Sequence, residues 1–274
     1  MGGAPIDVRQ SDLKLWQRCP LMYRYQNIDH LPREQSGSLS FGSIIHLCVL
    51  HLEVEQDLAA AIAMFRKFWA EPSSVDAEFK VDFYVRGTNW KKYLAEGERI
   101  LRHWWSLIQW ESDVVLGREF GFSVPIGDGH TLNGTIDKLA IRFIPSINSR
   151  VVLVSDYKSN KKLPTYEYLA EDLQFSAYSY ATTRPEFWAT IPDGPEIFQR
   201  VETFPRYGEW VQLTGPKRMD AGERTQRHYN RLTMAINALA ESVAMRIFVP
   251  TISGESCKWC DYRKPCGLPD LGAA

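Results

Sequence analysis

Apolar residues recur at helical spacing through the first hundred or so positions, and then the period shortens to two. Residues 11–25 (SDLKLWQRCPLMYRY) predict a first helix with Ser11 as candidate N-cap, and Pro20 should interrupt or end it. After a Gly/Ser-rich joint at 35–43, FGSIIHLCVLHLEVEQDLAAAIAMFRKFW reads as helix to about residue 70, with room for one break. Residues 89–110 predict another long amphipathic helix, with Trp104 and Trp105 turned into the core. Alternation begins at 114–126 and continues at 131–143 and 150–158, three predicted strands, with GDG at 127–129 turning between the first two. A helix at 167–183, a hairpin built from EIFQRVETF and EWVQLTG around PRYG, a long helix at 218–243 and a loop-like tail after Pro250 complete the expectation.

Helices, then a mostly antiparallel sheet with one helix inserted, then another helix, predict a single α/β domain with a helical annex. The chain has 274 residues, enough for an ample core, and shows no internal repeat or low-complexity segment. Composition changes this picture little, at 45% hydrophobic and 24% charged residues. The net charge of −1 removes any global positive field, so a nucleic-acid partner would have to meet a local patch. There is no stretch of about 18 uninterrupted apolar residues, and MGGAPIDVRQSD lacks the basic and apolar parts of a secretory signal. A cytoplasmic setting without a membrane partner is therefore expected. In that setting the five cysteines read as ligands or core thiols rather than a disulfide framework.

The candidate chemistry sits at the end of the third predicted strand, VVLVSDYKSN. Side chains alternate along a strand, so Asp156 and Lys158 share one face and one carboxylate and one amine converge. D/E-x-K arises easily by chance: Asp12-Leu-Lys14 and Glu78-Phe-Lys80 occur too, but neither follows a β run or an acidic partner strand. In the preceding strand Asp137 shares the face of Thr135, Leu139 and Ile141, a costly place for a carboxylate unless something neutralises it. If the two strands pair, Asp137 and Asp156 approach, and two repelling carboxylates favour a bound divalent cation. Glu119, in the strand before, either supports that site or is an ordinary exposed strand residue.

These residues resemble the PD-(D/E)XK nuclease superfamily, and most closely the RecB-like exonucleases, including the CRISPR-associated members. Asp137 stands where that family has its first acidic residue, and Asp156-Tyr157-Lys158 matches its D/E-x-K, with Asp where Glu is commoner. His46 in FGSIIH matches a histidine on an early helix. Gln174-Phe-Ser-Ala-Tyr178 matches a Q-x-x-x-Y on the next helix, its two residues on one helical face. The resemblance implies a restriction-endonuclease-like core, a central mixed sheet flanked by helices, with a helical N-terminal annex and a clasped terminal region. The whole of 1–274 would be one nuclease domain: 1–34 and 244–274 in the clasp, 35–112 the annex, 113–215 the catalytic core and 216–243 the C-terminal helix. It also implies Mg²⁺ or Mn²⁺ held by His46, Asp137, Asp156 and the carbonyl of Tyr157, with Asp137, Asp156, Lys158, Gln174 and Tyr178 as catalytic residues.

Cys257, Cys260 and Cys266 form a C-x2-C-x5-C cluster in the tail, and three thiolates call for a fourth. Cys48, inside IIHLCVLHL, reads as a core thiol. Cys19, before Pro20 and flanked by Arg18 and Arg24, sits where a thiolate is favoured. On chemistry alone the four fit a zinc site as well as an iron–sulfur cluster. Iron–sulfur nucleases of the RecB-like type have one cysteine ahead of the core and three behind it, which implies a 4Fe-4S cluster at Cys19, Cys257, Cys260 and Cys266.

Lys161 and Lys162 beside the site, with Arg18, Arg24, Arg33, Lys258, Arg263 and Lys264 near the cysteines, are interleaved with aromatics, as suits DNA single strands or ends. The expected activity is a metal-dependent DNA exonuclease serving repair, recombination, phage DNA processing or CRISPR adaptation. The rival is a DNA-end-binding or adaptor protein with a vestigial nuclease site. Protein partners would be those of recombination, phage DNA processing or CRISPR adaptation, whereas oligomeric state and cleavage polarity leave no mark in the sequence.

Overall fold

The computed structural model describes residues 4–32, 36–79, 89–108, 112–160, 162–215, 217–252, 256–257 and 260–267. Its centre is a mixed sheet in which β3 (His130–Ile144) pairs antiparallel with β2 (Val114–Ile126) on one side. On its other side β3 pairs with the short parallel β1 (Asp7–Arg9) and then with antiparallel β4 (Ser149–Lys158). Strand β5 (Arg206–Gln212) runs parallel to β4, and β6 (Lys217–Arg224) closes the edge antiparallel to β5. The chain is thus α/β with a mixed sheet flanked by helices.

One face of the sheet is covered by α1 (Gln10–Arg18), α7 (Leu173–Ala181) and α10 (Gln226–Met245), around a core that includes Val152, Val154, Leu139, Phe175 and Leu232. The other face receives the annex of α3 (Gly37–Glu55), α4 (Leu58–Ala70) and α5 (Trp90–Ile108), which packs on Tyr157, Val211 and Leu213. A Cβ on Gly97 would meet the Phe65 ring at 2.0 Å, so the glycine is what lets α5 lie this close to α4. By length and composition α3 would also suit a bilayer, but here nine of its residues are buried in the protein. A third, small cluster joins Cys19, Met22 and Tyr262.

The long apolar stretch breaks once, at Gln56 in left-handed conformation, and Asp57 caps α4 by accepting from the backbone N–H of Ala60. Pro20 sits at the first position of α2 (Pro20–Tyr23), as its missing N–H and fixed φ favour. The helix anticipated at 167–183 is cut into α6 (Tyr166–Glu171) and α7 by Asp172, which caps the second piece.

Three expectations are corrected. Arg9, not Ser11, is the N-cap of α1, with the Asp12 side chain accepting from the Arg9 N–H. EIFQRVETF is not a strand: Pro195 stands in the first turn and Ile197, Phe198 and Val201 lie on one face of helix α9 (Gly194–Val201), which follows the short α8 (Pro185–Trp188). Residues 218–224 are strand rather than helix, because Met219 and Ala221 alternate with exposed Asp220 and add an edge to β5. The sheet is mixed and, as expected, mostly antiparallel: β2–β3, β3–β4 and β5–β6 run antiparallel, while β1–β3 and β4–β5 run parallel.

Candidate active site

The β2–β3–β4 register brings three carboxylates abreast. Lys138 pairs with Ser155, so Asp137 and Asp156 stand opposite one another one step further along. Arg118 pairs with Lys138 and Phe120 with Ile136, which places Glu119 across from Asp137 on its other flank. Glu119 has φ +45°, a left-handed conformation costly for a residue with a side chain and one that clusters at functional sites. Like charges directly opposite across strands repel.

His46 enters from α3. Its Nδ1 lies 3.9 Å from Glu119 Oε1 and 3.9 Å from Asp137 Oδ2. Ligand atoms of His46, Glu119 and Asp137 all fall within 4.8 Å of one another. Ligands on opposite sides of one hard cation stand about 4–5 Å apart, so this trio fits one ion. Burial alone would depress the His46 pKa, but the nearby Glu119 and Asp137 carboxylates outweigh it and the net direction is up. Asp137 is pushed up to about 7, by burial first and by the Asp156 charge second. Asp137 Oδ2 also accepts the backbone N–H of Tyr157 at 2.5 Å, tying the two strand ends together.

Asp156 is 2% exposed and carries two donors. Lys158 Nζ sits 2.6 Å from each of its carboxylate oxygens, and Gln174 Nε2 donates to Oδ1 at 2.7 Å. Burial opposes the charge on Lys158, yet Asp156 and Asp137 hold its pKa above the ordinary lysine value. Gln174 Nε2 also lies 2.7 Å from the Tyr178 hydroxyl. The Tyr178 phenol is raised by burial and by Asp156 and Asp137, so it stays protonated. Gln174 and Tyr178 therefore reach the site together, Gln174 directly and Tyr178 through it. Tyr157 uses its N–H on Asp137 and its hydroxyl on Glu53.

The trio of ligand atoms includes Glu119 where sequence reasoning favoured Asp156, which instead flanks Asp137 and is held by Lys158 and Gln174. The register that sets Glu119 opposite Asp137 is long-range, and its left-handed φ has no signature in the local sequence. Two further residues escaped sequence reasoning. Glu53 accepts from Trp104 Nε1 at 2.8 Å, Tyr157 Oη at 3.1 Å and Arg118 Nε at 2.5 Å. It lies seven residues after His46, two turns along α3, and that spacing was a readable signal. Lys14 donates to Gln174 Oε1 at 2.6 Å.

The cysteines divide as their settings suggest. Cys48 is fully buried in the annex and burial pushes its thiol up to about 12, an inert core group. Cys19, Cys257, Cys260 and Cys266 line one cavity with Met22, Tyr25 and Tyr262. Backbone N–H groups of Thr251 and Tyr262 point at Cys19 Sγ and Cys260 Sγ, each at 3.4 Å. Arg18 donates to the carbonyl of Ser256 at 3.2 Å and Arg24 pairs with Asp29 at 3.0 Å, while Lys162 is exposed beside β4. Lys161, Arg33 and Lys258 lie outside the described residues.

No curated protein matches this chain. A solved structure titled "Crystal structure of SSO0001" is 13% identical, with a TM-score of 0.38 over 97% of this chain and 87% of that one, too loose a likeness to argue from. The family model described as the PD-(D/E)XK nuclease superfamily matches residues 9–267, a span that takes in His46, Glu119, Asp137, Asp156, Lys158, Gln174 and all five cysteines. The chain belongs to the PD-(D/E)XK nuclease superfamily, whose members are metal-dependent nucleases.

Proposed function

We propose that the protein is a metal-dependent DNA exonuclease of the RecB-like iron–sulfur kind, acting on single strands or duplex ends in repair, recombination, phage DNA processing or CRISPR adaptation. The observation that carries the catalytic part is the placement of Asp137 between Glu119 and Asp156, with His46 Nδ1 3.9 Å from two of these acids. Such a cluster of buried like charges is tolerable around a cation and costly without one. His46, Glu119, Asp137 and Asp156 would hold Mg²⁺ or Mn²⁺, and the imidazole makes Mn²⁺ at least as suitable as Mg²⁺. When bound, the ion supplies Lewis acidity to a phosphodiester oxygen and acidifies the attacking water.

The chain's own part is electrostatic and positional. The Lys158 ammonium, about a third exposed, is placed to stabilise charge developing on the phosphate while its pairing with Asp156 fixes where it points. Gln174 restrains the same carboxylate from the helix side, and the Asp137–Tyr157 bond keeps the acids of β3 and β4 in register. The four thiols around one cavity, two of them receiving backbone N–H groups, suit a 4Fe-4S cluster, and the donor set suits zinc too. A clasp there would bind the N-terminal helices to the C-terminal tail. The exonuclease and iron–sulfur assignments are supported by the resemblance of motif order and of one cysteine ahead of the core with three behind.

Digesting end-labelled single strands and a closed circle with Mg²⁺ or Mn²⁺ tests the activity. Wild type is expected to shorten linear strands and spare the circle, and Asp156→Ala and Lys158→Ala to bind DNA without cutting it. Cutting by both variants at the wild-type rate would remove the catalytic assignment. DNA binding without any metal-dependent cutting by wild type would favour the adaptor instead. Anaerobically purified protein is expected to be brown, and a colourless preparation holding zinc would replace the iron–sulfur cluster with zinc.

A further inference from the structure

The residues named above leave one contact at the site without a role, the bond made by Lys14. Lys14 lies on α1, and its Nζ donates to Gln174 Oε1 at 2.6 Å and to Asp172 Oδ2 at 3.1 Å. Asp172 is itself fixed, since its Oδ1 accepts the backbone N–H of Gln174 at 2.7 Å as the cap of α7. From the other end of the same amide, Gln174 Nε2 donates to Asp156 Oδ1. An unbroken chain of contacts therefore runs from an ammonium on α1, through one side-chain amide, to the carboxylate of the D-x-K strand.

An amide has two unlike ends, one that only accepts and one that only donates. Turned over, Gln174 would aim its oxygen at the Asp156 carboxylate and its NH₂ at the Lys14 ammonium, two repulsive contacts in place of two attractive ones. The Tyr178 hydroxyl can donate or accept and so does not choose between the orientations. Lys14 does choose. Gln174 is 5% exposed, so water has little access to compensate an end left without its partner.

The geometry points to Lys14 as a positioning residue for phosphodiester hydrolysis, holding the Gln174 amide so that its N–H keeps Asp156 in place beside Asp137. This rests on the nuclease reading given above. Lys14 bonds to Asp172 and Gln174 rather than to Glu119, Asp137 or Asp156, and acts through Gln174. The triplet Asp12-Leu-Lys14, a chance copy of D-x-K by its sequence, thereby enters the site from the far end of the chain.

The test compares steady-state Mn²⁺-dependent cleavage of end-labelled single-stranded DNA by wild type, Lys14→Met, Lys14→Arg, Gln174→Met, the Lys14→Met/Gln174→Met double variant and Asp156→Ala. Activities are expressed per folded molecule, the folded fraction being measured by circular dichroism. Lys14→Met, which keeps most of the stem, is expected to lower kcat by about 10–100-fold, the range for losing a partner that orients a metal ligand. The KM for DNA should change by less than about 3-fold, since the lost interaction is not uniform substrate binding. Lys14→Arg should recover most of the loss, and the double variant should be no slower than Gln174→Met alone, because both break one link.

A raised KM at unchanged kcat would make Lys14 a phosphate contact and overturn the proposal. Additive losses in the double variant would overturn it too, as would a deficit that vanishes once activity is expressed per folded molecule. If Asp156→Ala cuts as fast as wild type, the nuclease reading itself has failed. If Asp156→Ala is inactive while Lys14→Met cuts at the wild-type rate, the role of Lys14 alone falls.

Discussion

Strands β2, β3 and β4 treat charge in opposite ways on their two faces. Successive residues alternate between them: Arg118 with Glu119, Lys138 with Asp137, Ser155 with Asp156. On the annex side, Arg118 meets Glu53, Lys138 meets Asp113 at 2.8 Å, and Arg142 bridges Asp113 at 2.8 Å to Glu209 at 2.5 Å. Ser155 and Arg218 complete Glu209, at 3.1 and 3.2 Å. On the other side, Glu119, Asp137 and Asp156 stand abreast, with Lys158 and a histidine to offset three carboxylates. Buried charge alone is thus a poor guide to function here. What separates the faces is whether enough charges of opposite sign have been supplied to cover the acids.

The comparison breaks most sharply at Asp137. Asp137→Asn keeps an oxygen to accept the Tyr157 N–H but removes a charge from the acidic row. Cleavage is expected to fall by about 10²–10³-fold or more, while the melting temperature without added metal holds or rises. A lower melting temperature would mean the row is a satisfied network like its counterpart on the reverse face.

Next in size is Asp113→Ala on the paired face. Lys138 is 1% and Asp113 3% exposed at their side chains, and removing one partner of such a pair costs about 3–5 kcal/mol, read from urea unfolding. Burial would raise the Asp113 pKa, but Arg142 and Lys138 outweigh it and hold the carboxyl far below its ordinary 3.8. A depressed carboxyl stabilises the fold above its unfolded value and loses that contribution as pH falls through the folded one. Wild type should therefore lose stability as pH drops below about 4, and Asp113→Asn should lose less over the same range. Identical acid profiles for the two proteins would detach Asp113 from the network.

The smallest effect belongs to Arg218→Ala. Its side chain is 31% exposed and Glu209 keeps Arg142, while the losses include the 3.2 Å contact to Glu209 and a guanidinium over the Trp104 ring. About 1 kcal/mol is expected in urea unfolding. A loss as large as that of Asp113→Ala would show the network to be cooperative throughout.

The strands at 114–126, 131–143 and 150–158 were legible because alternation and turn residues agree there, and Asp137 and Asp156 followed from strand phase. Residues 218–224 misled because Lys217, Arg218, Asp220 and Glu223 give an edge strand the polarity of a helix surface. Residues 196–201 misled for the opposite reason, a short helix whose few apolar positions also suit a strand. Motif order made His46 and Gln174 legible, whereas Glu119 became one of the gathered ligand groups only through a left-handed backbone and a register set by partner strands. Lys14 meets Gln174 across 160 positions, beyond any local pattern.

The Glu53–Arg118 pair has a consequence for anyone who would rebuild this protein. One helix bears both His46 and Glu53, and one strand bears Arg118 beside Glu119, so the buried ion pair sets the spacing at which the imidazole and the neighbouring acid meet. Transplanting the helical layer onto another sheet, or exchanging it between homologues, would have to carry Glu53 and its arginine as a unit. A chimera that preserved every ligand but split that couple would inherit the right atoms at the wrong separation.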